Sequence, residues 1–105
     1  MKLTVRNPST PAEDLKAIQD EKYDAVFTDD LYARKIVNQA GSGRNFHIAG
    51  YNGMTVATDI SPKITTVNSN LTAAGQVAVD YLFEQHKFAK NVVKLEPYLV
   101  EGETF

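Results

Sequence analysis

The chain has 105 residues, 43% hydrophobic and 23% charged, which bounds it at one small globular domain and excludes a disordered tract. A formal net charge of −2 gives no electrostatic footprint for nucleic acid, and the lack of cysteine excludes a disulfide framework and any thiolate metal site. No apolar run approaches membrane-spanning length and the N-terminus lacks a signal-peptide h-region, so a cytoplasmic protein without membrane contact is expected.

Lys2-Leu-Thr-Val5 reads as a short strand ended by Asn7-Pro8. Thr10-Pro11-Ala12-Glu13 then announces a helix over about 11–21, with threonine as N-cap, proline in the first turn and glutamate placed for a capping box. Leu15 and Ile18 supply its buried side. Tyr23-Asp24-Ala-Val-Phe-Thr-Asp-Asp30 is the central stretch, a buried strand near 24–28 that stops at two carboxylates. Directly behind it, apolar residues at 33, 36, 37 and 40 mark one face of a helix over 31–40. A strand, acid residues and a helix form half of a βαβ unit, whose strand ends carry the polar groups that bind ligands in open α/β sheets. Aspartate is also a favoured N-cap. Asp30 is the residue expected to cap, and Asp29 divides evenly between capping and binding.

Gly41 suits the left-handed position that closes the helix. A strand near 46–50 follows, then a turn at Tyr51-Asn52-Gly53, and residues 54–60 hold at most a helical turn. Ser61-Pro62 breaks the chain before a β-branched strand near 64–67. The longest helix, 71–86, carries an apolar stripe that includes Leu71, Ala78, Leu82 and the aliphatic part of Gln85. Residues from Asn91 on, chiefly 92–100, read as one or two strands interrupted by Pro97. The order predicts an α/β fold, a mostly parallel sheet with flanking helices, with Val26, Phe27, Ile48 and Val67 buried.

Nothing in the sequence builds a catalytic or metal centre, and no enzyme activity or cofactor is expected. His47 lies in a strand between Phe46 and Ile48 and reads as a partly buried sheet residue, while His86 suits the end of a helix dipole. Gly41-Ser-Gly43 follows a helix, whereas a phosphate cradle follows a strand. A phospho-acceptor receiver domain needs a further aspartate on the neighbouring strand end, where this chain has Gly50-Tyr51-Asn52. There remains a row of hydrogen-bonding groups at successive strand ends: Asp29, Asp30, Asn52, Asn68 and Ser69. Planar polar groups that both donate and accept suit a polyhydroxylated ligand.

Three segments in order, Asp24-Ala-Val-Phe-Thr-Asp-Asp30 before a helix, His47-Ile-Ala-Gly-Tyr-Asn52, and Pro62-Lys-Ile-Thr-Thr-Val67 with Gly75-Gln-Val-Ala-Val79 beyond it, resemble the lac repressor family of transcriptional regulators. The closing Pro97-Tyr-Leu-Val-Glu-Gly-Glu-Thr104 is similar to that family's last strand, with Glu101 and Gly102 where basic and small residues are usual. The resemblance implies the C-terminal lobe of a periplasmic binding protein-like, sugar-binding effector domain across residues 1–105, without the helix-turn-helix that would contact DNA. Carried across position by position, it implies that Asp29, Asn52 (where the family commonly has aspartate), Ser69 and Leu71 contact a sugar effector. It also implies that the helix over 71–85 packs on an N-terminal lobe absent here, and that the 31–40 helix serves a homodimer. A fragment of a periplasmic sugar-binding protein, or an interaction module without ligand, are the alternatives.

Overall fold

The computed structural model describes residues 2–84 and 92–105. Their element order is α1 (Pro11–Asp20), β1 (Ala25–Phe27), α2 (Asp30–Ala40), β2 (His47–Asn52), α3 (Thr55–Thr58), β3 (Thr65–Asn68), α4 (Leu71–Phe83) and β4 (Tyr98–Val100). The four strands form one sheet in the order β1-β2-β3-β4. β1, β2 and β3 are parallel, with Val26 beside Ile48 and Gly50 beside Thr66, and β4 closes the sheet antiparallel to β3. A mostly parallel α/β sheet is therefore present as expected. The calls on Gln85, His86 and Asn91 lie outside the described residues.

Helix α1 starts as its sequence dictates: Thr10 accepts from the Glu13 amide at 3.2 Å and Pro11 occupies the first turn. Glu13 reaches back to the Ser9 hydroxyl and so completes the cap one residue earlier than a standard capping box. Asp14 is buried and accepts from Arg6 Nε at 3.1 Å, from the Ser9 amide at 2.9 Å and from the Tyr32 hydroxyl. That last bond ties α1 to α2. At the far end of α2, Gly41 has φ 65° and donates to the Val37 carbonyl, a left-handed closure that glycine makes without strain.

The core lies on one face of the sheet only. Leu15 and Ile18 of α1, with Ala33, Ile36 and Val37 of α2, pack over Ile48 and Ile64. Ile36, Ile48 and Ile64 are completely enclosed, and each such side chain stabilises the fold by about 1.5–3 kcal/mol. On this face Arg34 clamps the segment after α3. Its Nε donates to the Val56 carbonyl and Nη2 to the Ile60 and Pro62 carbonyls, all at 2.8–2.9 Å.

Four expectations need correction. Residues 2–10 form no strand, and Leu3 and Val5 are exposed. A strand needs a neighbour to pair its backbone, and this segment instead lies against α1 through Asp14. Phe27 is 65% exposed, because alternation turns it away from the helices while Val26 faces them and is half-buried. Val67 is half-buried for the same reason. The last strand is confined to 98–100, since Pro97 has no amide to donate and ends the pairing. Finally, His47 is exposed and leans on the terminal Phe105 ring at 5.3 Å.

Beyond β4 the chain runs back along the amino ends of β3 and β2. The Ile48 amide donates to the Thr104 carbonyl at 2.9 Å, and the buried Thr104 hydroxyl donates to the Ile48 carbonyl while accepting from the Thr65 amide. Gly102 passes so close to β3 that an added Cβ would lie 2.7 Å from the Thr65 nitrogen.

Helix α4 behaves differently from the rest. None of its residues is buried, and Leu82 is 70% exposed, so it does not fold back on its own sheet. The radius of gyration is 17.2 Å, against roughly 13 Å for a compact domain of this length.

Two outcomes follow from this packing. Gly102→Ala forces backbone apart and is expected to cost about 1–3 kcal/mol in urea denaturation, as overpacked sites do. The Asp14–Tyr32 bond also makes stability depend on pH at both extremes. The Tyr32 hydroxyl bond, aided by Ser9 and Arg6 against the opposing effect of burial, holds the Asp14 carboxyl below its ordinary 3.8. Its contribution is therefore present above 3.8 and lost as pH falls through the lowered value. Burial first, then the Asp14 carboxylate, push the Tyr32 phenol up to about 12, so its contribution holds below the ordinary 10.0 and is lost as pH rises towards 12. Tyr32→Phe is expected to return the Asp14 titration, followed by carboxyl NMR, towards 3.8.

Candidate functional site

Because β1, β2 and β3 run parallel, their carboxyl ends share one edge of the sheet. The residues that leave those ends are Thr28-Asp29, Asn52-Gly53 and Asn68-Ser69-Asn70, with Leu71 opening α4. The sequence-predicted residues Asp29, Asn52, Ser69 and Leu71 are thus brought to the same edge, while Asp30 is taken out of it.

Asp29, not Asp30, is the N-cap of α2. Its Oδ1 accepts from the Tyr32 amide at 3.0 Å, and its side chain is exposed. Asp30 sits one residue later with its side chain turned into the protein and no accessible surface. Its Oδ1 accepts from the Thr66 hydroxyl at 2.5 Å and its Oδ2 from the Met54 amide at 2.6 Å. The carboxylate lies directly over Gly50, where any Cβ would overlap it and meet the Asp30 Cα at 3.2 Å. Glycine is therefore required on β2 by a carboxylate on α2. The sequence signal was the pair itself: only one of two adjacent acids at a helix start can cap, and the other must find donors.

Thr65 and Thr66 divide their labour across the sheet. The Thr66 hydroxyl donates to Asp30 and accepts from the Gly53 amide at 3.3 Å, and the Thr65 hydroxyl accepts from the Gly102 amide at 2.9 Å. Read as sequence, this pair showed strand propensity and a place in the Pro62–Val67 segment of the family resemblance, but neither of these hydroxyl contacts.

At the edge, the turn after β2 is tight. Asn52 has φ 113° and Gly53 φ 74°, and a Cβ on Gly53 would fall 2.7 Å from the Asn68 side-chain carbon. Asn68 Oδ1 accepts from the Asn70 amide at 2.7 Å, and Asn70, in the left-handed region at φ 65°, sends Nδ2 to the Glu96 carbonyl at 3.3 Å. Asn70 was not singled out from sequence; its signal is that asparagine tolerates this conformation. The Ser69 hydroxyl is shielded from solvent and has no hydrogen-bond partner among the described residues, which is costly for a hydroxyl unless a ligand or water serves it. Leu71 is 64% exposed and offers an apolar wall beside these polar groups.

Two clefts lie elsewhere. One of about 360 Å³ involves Arg44, His47, Glu103 and Phe105 at the opposite end of the strands, and the other, of about 470 Å³, separates α4 from Val93 and Leu95. Among the described residues no group of three or more His, Cys, Asp or Glu could hold a metal ion. No helix among them is long and apolar enough to cross a membrane.

The structure is an α/β lobe with polar residues at the carboxyl edge of parallel strands, and comparison with solved structures finds the periplasmic-binding-protein-like fold of known transcriptional regulators. A dimeric lac repressor with a C-terminal deletion superposes with a TM-score of 0.74 at 21% identity, covering 90% of this chain and 38% of that one. The transcriptional regulator CelR in complex with cellobiose gives 0.67 at 25%, with 90% and 32% covered. A LacI family transcriptional regulator from Lactobacillus casei with bound sucrose gives 0.71 at 17%, with 90% and 39% covered. The fold is that of LacI-type regulators, and the chain spans about a third of their length. No protein-family model and no curated protein sequence matches it.

The two carboxylates are separable by stability. Asp30→Ala leaves the buried Thr66 hydroxyl and the Met54 amide without their acceptor and is expected to cost about 2–4 kcal/mol. Asp29→Ala removes only a cap, at about 1 kcal/mol. Paired denaturation curves check the order, and a larger loss at Asp29 would contradict the placement of Asp30.

Proposed function

We propose that this chain is the lobe of a sugar-responsive transcriptional regulator that presents one wall of an effector cleft. The observation that carries the reading is the shared carboxyl edge, where Asp29, Asn52 and Ser69 stand beside Leu71 in the fold of regulators solved with cellobiose and sucrose. Asp29 accepts from hydroxyls, with the stronger bond that a charged acceptor makes. Asn52 both donates and accepts, and the unserved Ser69 hydroxyl supplies a further contact. Leu71 packs on the apolar face of a pyranose ring. The ligand class is an uncharged carbohydrate or a sugar phosphate. The role is sensing rather than catalysis; the proteins that share the fold are regulators.

Operator recognition belongs to a DNA-binding domain outside these residues. In the intact regulator, two such chains pair through the outer face of α2, where Leu31 is 47% exposed.

A single wall encloses only part of a ligand, and sites that bind well enclose most of it. Calorimetry with a panel of mono- and disaccharides and sugar phosphates should therefore show weak or undetectable binding to this chain alone. A two-lobed protein carrying it should bind one of them. In that protein Asn52→Ala is expected to weaken binding by about tenfold, the equivalent of one good hydrogen bond. Tight binding by the chain alone overturns the half-site reading. A two-lobed protein that binds nothing in the panel overturns the sugar reading.

A further inference from the structure

The turn after β2 carries the one Asn-Gly pair in the sequence, Asn52-Gly53. Both residues are half-buried and both have positive φ, 113° and 74°. Glycine is required there, because a Cβ would fall 2.7 Å from the Asn68 side-chain carbon. The fold therefore places after Asn52 the one residue type whose backbone nitrogen has no side chain to shield it. That nitrogen is a nucleophile within reach of the Asn52 side-chain carbonyl carbon. A group tethered in this way reacts as if it were present at very high concentration.

The other asparagines lack this combination. Asn7 precedes proline, which has no amide proton, and Asn38, Asn45 and Asn91 precede Gln39, Phe46 and Val92, whose side chains crowd the nitrogen. Asn68 Oδ1 accepts from the Asn70 amide, and Asn70 Nδ2 donates to the Glu96 carbonyl. The Asn52 side-chain amide makes no hydrogen bond among the described residues, so no such bond opposes its rotation towards Gly53.

The Gly53 amide, in contrast, is held. Its N–H donates to Thr66 Oγ1 at 3.3 Å, and the Thr66 hydroxyl donates to Asp30 Oδ1 at 2.5 Å. Thr66 and Asp30 have no accessible surface. Two hydrogen bonds in line thus lead from the proton that an attacking nitrogen must lose to a buried carboxylate. A positioned proton acceptor accelerates such a step by about 10²–10⁴-fold. The turn accounts for the glycine and the packing of α2 on the sheet for Asp30. The line that joins them supplies the base that ring closure needs.

We propose that Asn52-Gly53 is a site of self-modification, in which the Gly53 nitrogen closes on the Asn52 side chain with Thr66 and Asp30 as its proton relay. The nitrogen bonds to Asn52 Cγ as its proton passes to Thr66 Oγ1 and the Thr66 proton passes to Asp30. The Cγ–Nδ2 bond then breaks, the proton returns to Nδ2, and ammonia leaves behind a succinimide ring. Water opens the ring at one of its two carbonyls. Breaking the bond from Gly53 N to Cγ gives aspartate, and breaking the bond to the Asn52 backbone carbonyl carbon gives isoaspartate. Water is the only reactant consumed and ammonia the only product released. Either outcome puts a carboxylate in place of a neutral amide at the carboxyl edge. Isoaspartate also adds a methylene to the backbone where Asn52 pairs with Asn68. The chemistry is independent of the sugar reading, although it alters the edge to which that reading assigns the ligand.

The test ages the protein at neutral and mildly alkaline pH, folded and unfolded in guanidinium chloride. Residue 52 is followed by peptide mass spectrometry and by enzymatic labelling of isoaspartate. Conversion is expected to run about tenfold or more faster in the folded protein, because only folding brings Thr66 and Asp30 to Gly53. Thr66→Val, shown to be folded by circular dichroism, is expected to lose that advantage, and Thr66→Ser, which keeps the hydroxyl, to retain it. Asn52→Gln, whose larger ring closes reluctantly, is expected to stay unmodified. If Thr66→Val does not fold, the comparison of folded with unfolded protein decides alone. A folded protein that converts no faster than the unfolded chain overturns the proposal. So does an unchanged rate in folded Thr66→Val, or conversion that falls on Asn68 in preference to Asn52.

Discussion

The carboxyl edge of the sheet depends on one buried carboxylate. Asp30 is in the first turn of α2, where the helix dipole favours a negative charge, and it touches three parts of the fold: its own helix, the turn after β2 through the Met54 amide, and β3 through the Thr66 hydroxyl. Burying it without those donors would cost several kcal/mol, and with them it acts as a three-way brace. The brace in turn dictates sequence at a distance, since Gly50 must lack a side chain for the carboxylate to lie over β2. The positions of Asp29 before it, of Asn52 beyond Gly50 and of Ser69 beyond Thr66 all follow from where Asp30 is held.

Much of this was legible in the sequence, and the failures share a cause. Thr10-Pro11 and Gly41 announced their helix ends because capping is local chemistry that a few residues determine. The periodicity of α2 and the strand character of β2 and β3 survived for the same reason. Which of Asp29 and Asp30 caps was not decidable locally, because it turns on whether Met54 and Thr66, 24 and 36 residues away, supply donors to the second acid. Likewise Leu3 and Val5 look like strand residues but have no strand to pair with among the described residues, and Phe27 looks like core but lies on the side of the sheet opposite α1 and α2 and stays 65% exposed. Propensity describes what a segment does when a partner is present. It does not say whether the partner is there.

The edge itself is built from conformations that few residue types accept. Asn52 at φ 113°, Gly53 at φ 74° and Asn70 at φ 65° occupy the left-handed side of backbone space within one small patch, and asparagine and glycine are the residues that go there at least cost. Asn52 therefore does two things that aspartate, common at this position in the resembled family, does less well together. It satisfies the turn and leaves a neutral amide that can both donate and accept. Gly53 allows the Asn68 side chain to press against the turn, and Asn68 in turn orders Asn70 at the start of α4.

The two unfinished surfaces of the molecule differ in chemistry, and this separates their roles. The carboxyl edge is polar: Asp29, Asn52 and Asn68 are served by water when no ligand is present, so an open edge is tolerable to the free chain. The outer sheet face is apolar, with Phe27, Tyr51 and Leu99 exposed and no charge in any strand, so water is a poor cover for it and another protein surface a good one. The two surfaces are also roughly perpendicular, one at the strand ends and the other across their backs. Covering the face with a helix thus leaves the ends of β1, β2 and β3 open. A protein surface laid on that face would touch Phe27, Tyr51 and Leu99 and leave Asp29, Asn52 and Ser69 at the strand ends untouched.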